Sequence, residues 1–144
     1  MEGRIAVIDA MPSGDMQVWN DIVNIKLDGV GFHTAMYSLC LGGGLCDMAK
    51  LHKSRAIDEY RELLCAIGVF CDSFHRPPDL SMGKPQLPPT IASEHEAVAL
   101  YDDWETDTFK RLREARSALS GDKAYASKMI RGVIDELRYI DSID

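Results

Sequence analysis

No stretch of this chain is apolar over the roughly 18 residues that a membrane-spanning helix requires, and no basic excess marks it. Acidic residues outnumber basic ones, 23 to 16, which leaves a formal net charge of −7. A phosphate-backbone binder needs a basic stripe, so no nucleic-acid partner is expected. An anionic membrane surface is disfavoured for the same reason. The four cysteines, Cys40, Cys46, Cys65 and Cys71, form no C-x-x-C pair. They read as reduced thiols of a cytoplasmic protein. Met1 to Gly14 lacks a positive segment followed by a long apolar core, so no signal peptide is expected there. The Gly42-Gly43-Gly44 run lacks a following Lys-Ser/Thr, so it is a flexible turn and not a phosphate loop. Spacing offers no Ser-His-Asp or Cys-His nucleophilic set.

What remains is a chain of 144 residues, 46% hydrophobic, enough for one domain with its own core. Residues 1–14 form an N-terminal arm with an apolar patch at Ile5, Ala6, Val7 and Ile8, read as a brief strand or turn. Residues 15–144 read as the helical domain. A first helix is expected over about 15–41, with Trp19, Ile22, Val30 and Tyr37 on its dry side. A second follows over about 45–74, burying Leu45, Ala49, Ala56, Leu63, Ile67 and Phe70, with Gly68 a candidate interruption. Five of the six prolines then fall between Pro77 and Pro89. Proline excludes regular helix, and an extended run of this length reaches roughly 50 Å, enough to travel along a whole helix. A third helix over about 93–119 opens with the capping box Ser93-x-x-Glu96. A fourth spans about 122–140 with Asp122 as its N-cap. The expected fold is an all-α four-helix bundle, two antiparallel hairpins joined by one long proline-rich crossover.

Folding the first two helices back on the glycine turn sets Lys26 at the height of Glu59, and His33 at the height of His52. All four project from dry faces. The second hairpin repeats the pattern, with Glu105 level with Glu136. If both hairpins have level midpoints, Lys26, Glu59, Glu105 and Glu136 share one layer. His33 and His52 make a second layer about 10 Å nearer the glycine turn. Buried charges must pair, bind an ion or change protonation. Three carboxylates against one ammonium leave an acid to be protonated, solvated or held by a cation. The layer is therefore either a structural clasp or a metal or substrate site.

The helix order, the run Asn24-Ile25-Lys26-Leu27 ending at Met36, Glu59, and Met129-Ile130 through Asp135-Glu136 together resemble the ferritin-like superfamily. The resemblance implies a carboxylate centre of iron or manganese type inside a self-associating bundle. It places Lys26 where a ferritin has a metal-binding glutamate, and Glu59, Glu105 and Glu136 at acidic positions. Glu59-Tyr60-Arg61-Glu62 departs from the ferritin Glu-x-x-His, with Glu62 turned toward the helix edge, so the implied di-metal centre is degenerate. His33 and His52 are further candidate ligands, with Lys26 as an internal cation.

Two other readings stay open. One is a non-catalytic helical interaction protein with a protein partner, such as a viral structural or host-inhibiting factor. The other rests on Asp58-Glu59-x-x-Glu62, which resembles the magnesium-binding helix of all-α nucleoside triphosphate pyrophosphohydrolases, although the partner Glu-x-x-Asp is missing. Lys110, Arg111, Arg113 and Arg116 form a basic run on the third helix. Asp107, four residues before Arg111, is expected to pair with it.

Overall fold

The computed structural model describes residues 12–143, and the apolar patch of the arm lies outside them. Those residues form a short 3-10 turn, Ser13–Asp15, and four helices, with no strand among the described residues. The helices are α1 (Met16–Gly42), α2 (Cys46–Phe74), α3 (Glu94–Ala118) and α4 (Ala124–Ile143). No helix among them is long and apolar enough to cross a membrane.

Each boundary has a local cause. At the end of α1, Gly43 N–H donates to the Leu39 carbonyl and Leu45 N–H to the Cys40 carbonyl. Gly44 takes φ +78°, a conformation that side-chain-bearing residues rarely adopt. Helix α2 runs unbroken through Gly68. It ends at His75, which adopts the left-handed conformation at φ 57° and donates its N–H to the Cys71 carbonyl. Pro77 and Pro78 follow at once, and a proline pair there cannot continue the helix. At the start of α3 the Ser93 half of the capping box forms, while the glutamate's return bond falls one residue before the N-cap. Ser93 Oγ accepts from Glu96 N–H at 3.2 Å, and Glu96 Oε1 accepts from Ala92 N–H at 3.3 Å.

The start of α4 differs from expectation. The helix begins at Ala124, and the Asp122 carboxylate accepts the Ala124 N–H at 2.8 Å, two residues on. The last turns of α4 extend to Ile143 because Ile140 is buried against the core.

Helix α1 is the central element, packed against α2 and α3, while α3 packs against α4. The apolar core falls into two clusters. One gathers Trp19, Ile22, Val23, Leu63, Phe70, Leu112, Ile130 and Val133. The other gathers Phe32, Met36, Cys40, Met48, Ile91, Val98, Tyr101 and Ile140. The positions between them along α1, from Lys26 to His33, carry the polar groups.

The proline-rich segment is fastened to α1 by side chains. Asn20 and Asn24 donate to the Asp79 carbonyl, Asn24 Oδ1 accepts from Ser81 N–H, and Asp28 Oδ1 accepts from Gly83 N–H. At the start of α1, buried Asp15 takes three donors from the α3–α4 turn. These are Ser120 N–H at 3.0 Å, Ser120 Oγ at 2.8 Å and Gly121 N–H at 2.8 Å.

Arg111 corrects another expectation. Its guanidinium donates to Asp28 of α1 at 3.2 and 3.3 Å rather than to Asp107, so it joins two helices instead of decorating one.

Candidate functional site

Helix spacing alone puts the polar groups on facing surfaces. On α1, Lys26 and His33 lie seven residues apart, two turns on one face. On α2, His52, Arg55, Glu59 and Glu62 follow the three- and four-residue steps of a single stripe. Helix α3 contributes Tyr101 and Glu105, four apart, and α4 contributes Glu136. Lys26, His33, His52, Glu59 and Glu105 are all buried, and Glu136 is half-buried.

At one end the charges pair. Lys26 Nζ lies 2.6 Å from Glu62 Oε2 and 3.5 Å from Glu59 Oε2. Glu62, expected at the helix edge, therefore turns its carboxylate onto Lys26, and both acids of the Glu-x-x-Glu pair face that ammonium. Burial pulls the Lys26 pKa down, but the charges of Glu59, Glu62 and Glu136 more than offset it and hold it above the usual value. Gly29 makes room for this contact. A Cβ there would collide with the Glu59 carboxylate.

Arg55 links this end to the next. It bonds Asp58 at 3.2 Å, approaches Glu59 at 3.9 Å and donates to Glu136 Oε1. Glu136 Oε2 accepts the Tyr101 hydroxyl at 2.9 Å. Burial, joined by the neighbouring Glu105 charge, pushes the Glu136 carboxyl up to about 8. Burial likewise pushes Glu59 and Glu105 up to about 7.

The other end is less complete. His33 Nδ1 and His52 Nδ1 lie 2.9 Å apart, so one ring donates and the other accepts. Burial lowers both imidazoles to about 3, helped by Arg55 and Lys26 at His33 and by the facing His33 ring and Arg55 at His52, and both are neutral at pH 7. Aromatic rings enclose them: Tyr101 stands edge-on to each, and Phe32 stacks on Trp104 with centroids 4.5 Å apart. Trp104 is half-buried as the outer plate of that stack. His33 Nε2 lies 3.6 Å from Glu105 Oε1. That distance is too long for a good hydrogen bond. His33 Nε2 is buried without a hydrogen-bond partner, and Glu105 meets the carboxyl of Glu136. Ligand atoms of His33, Glu105 and Glu136 all lie within 4.8 Å of one another.

Of the five candidate ligands, His33, Glu105 and Glu136 converge, while Glu59 faces Lys26 and His52 bonds His33. Glu105 stands against His33, and through it the two expected layers join into one network. Two members escaped the sequence reading. Arg55 supplies a second internal cation, and the Tyr101 hydroxyl holds Glu136. The signal for Arg55 was its position, three residues after His52 and four before Glu59, which fixes it on the same face.

Other thiol and metal readings meet simpler facts. The cysteines are free, with Cys40 buried and Cys46 exposed. Compared with known proteins, the chain matches no family model, no curated protein and no solved structure.

Proposed function

We propose that this chain is a ferritin-like, self-associating helical bundle that holds one divalent cation of iron or manganese type in its core. His33, Glu105 and Glu136 are the ligands. The observation that carries this reading is the convergence of one buried imidazole and two carboxyl groups, with ligand atoms within 4.8 Å of one another and His33 Nε2 buried without a hydrogen-bond partner. Leaving such an atom dry and unpaired costs about 1–3 kcal/mol, which a cation would recover. One imidazole and two carboxylates form a donor set suited to manganese or ferrous iron. Lys26 pairs with Glu59 and Glu62, and Arg55 bonds Asp58 and the ligand Glu136, so the surrounding charge suits a single cation where a ferritin would hold two metals.

The bundle itself is read as two antiparallel hairpins joined by the proline-rich crossover. Support comes from opposed contact order: Lys26 meets Glu59 while His33, further along α1, meets the earlier His52. Crossover contacts advance along α1 in step, from Asp79 at Asn20 through Gly83 at Asp28 to Ile91 at Gly43. Self-association is supported by Ile57, Tyr60 and Leu64, which are spaced along α2 as one stripe and are 44%, 52% and 50% exposed. Exposed free thiols at Cys46 and Cys65 suit a reducing, cytoplasmic compartment.

The test is calorimetric titration of the full chain with Mn(II) and, under anaerobic conditions, Fe(II). One equivalent per chain is expected, with affinity cut at least tenfold in Glu105→Gln and in His33→Gln. Removing one of three ligands abolishes a bond that nothing else replaces. No stoichiometric uptake of either ion would sink the reading. The second reading, a metal-free interaction protein with a structural clasp, is favoured by the Lys26 contacts to Glu59 and Glu62, and would then stand.

A further inference from the structure

Helices α2 and α4 make few close backbone approaches to one another, and between them lies a cavity of about 330 Å³. Its cationic wall is Lys26, Arg55, Arg61 and Lys128, against the acids Glu62 and Glu136. Its apolar wall is Met129, Val133 and the ring of Tyr125. Most of a small ligand's surface can be buried in a cleft of this size when a few polar groups fix its orientation.

We infer that this cavity binds a small carboxylate with an apolar body, its anionic head among the Lys26, Arg55, Arg61 and Lys128 charges and its body against Met129 and Val133. Three observations carry the inference. Four cations line the space against two acids; Lys26 pairs with Glu62 and Arg55 with Glu136, which leaves Arg61 and Lys128 without an acid in the lining. Arg55 Nε is a buried donor with no partner, and Lys26 Nζ has a third donor beyond its contacts to Glu59 and Glu62. An incoming carboxylate oxygen satisfies donors of that kind. Third, Gly132, an exposed residue of α4, lines the cavity, and a Cβ there would meet nothing within 4 Å. Glycine weakens a helix interior, and no packing contact at this position requires it. What it leaves is open volume. A neutral ligand would forgo the cationic wall, and a cation would be repelled by it. A polar anion such as phosphate would leave the Met129 and Val133 surface wetted. The site adjoins the proposed metal centre at Glu136, which lines both, while His33 and Glu105 line only the metal centre.

The probe is sodium octanoate, titrated into the full chain in the presence of EDTA so that the outcome is independent of any bound metal. Saturable binding at one site is expected, with 1-octanol weaker by about tenfold or more because it lacks the charge. Gly132→Phe, which fills the cavity, should weaken octanoate by about tenfold. The double variant Arg61→Gln/Lys128→Gln changes only exposed side chains and so keeps the fold. It should weaken octanoate several-fold while leaving 1-octanol unchanged. No saturation with octanoate, equal affinity for octanol, or unchanged binding in both variants would each overturn the inference.

Discussion

At the Lys26 end of the buried network each acid faces a cation. Glu59 and Glu62 lie 3.5 and 2.6 Å from the ammonium, and Arg55 stands on the far side of Glu59. At the His33 end Glu105 faces a neutral imidazole at 3.6 Å and the carboxyl of Glu136. The same helices, a similar depth and the same kinds of residue thus give one compensated end and one under-compensated end. Burial makes the difference matter, because an isolated charge in a dry core is costly while a paired one is tolerated. The compensated end needs nothing from outside. The other end is where a ligand has something to gain.

Breaking the compensated end should have the largest effect. Lys26→Met leaves Glu59 buried beside Arg55 alone at 3.9 Å, and removing one partner of a buried pair costs about 3–5 kcal/mol. Urea unfolding measures it, and a loss below 1 kcal/mol would show that the ammonium is not the clasp.

Next in size is the response to a cation and to pH. Glu59 and Glu105 ionise near 7 and Glu136 near 8 in the folded chain, against an ordinary value of 4.5. The folded state therefore holds extra protons across that window, and metal-free stability falls as pH rises through it. The imidazoles work in the opposite sense. Held near 3 instead of 6.5, they let the unfolded chain take protons first, so their own contribution falls as pH drops below 6.5. Three acids outweigh two imidazoles down to about 4.5, so the metal-free protein should be most stable near pH 4.5 to 5 and lose stability on either side. Added Mn(II) must displace the carboxyl protons, so its stabilisation should grow from pH 6 to pH 8. At a hundredfold excess over its dissociation constant the gain is about 2.7 kcal/mol. Thermal melts across pH, with and without Mn(II), read both trends. Metal-free stability that climbs from pH 6.5 to 8.5 would contradict the protonated acids.

A smaller effect sharpens the junction between the two ends. Tyr101→Phe removes the 2.9 Å hydrogen bond to Glu136 Oε2, at a cost of about 1–2 kcal/mol. It should also weaken Mn(II), since Glu136 loses the group that orients it. A chemical melt and a titration on one preparation separate the two consequences.

The smallest effect belongs to Glu62. Its side chain is 46% exposed although its oxygen is the nearest to Lys26. Solvent screens such a pair, so Glu62→Gln should cost no more than about 1 kcal/mol. A loss comparable to that of Lys26→Met would mean that Glu62, and not buried Glu59, is the partner that matters.

Much of this was legible in the residues. Lys26 and His33 repeat at two helical turns, His52 and Glu59 do the same, and a three-glycine turn between the runs lets them be counted into register. Burial of all four follows from those phases. Arg55 was equally legible and was missed because a long cationic side chain reads as surface until its phase is counted. Asp15 carries no periodic signal at all. Its role depends on Ser120 and Gly121, more than a hundred residues away in the chain.

The amino-acid order by itself settled the helical character, the glycine and proline breaks and which faces would be dry, because those follow from local backbone chemistry and from periodicity. It did not settle the height of α3 against α1. That offset depends on how the proline-rich segment is seated by Asn20, Asn24 and Asp28, and no local rule sets the slack in such a segment. Tertiary packing therefore decided that Glu105 stands beside His33. With that choice it decided which end of the network is complete and which has room for a ligand.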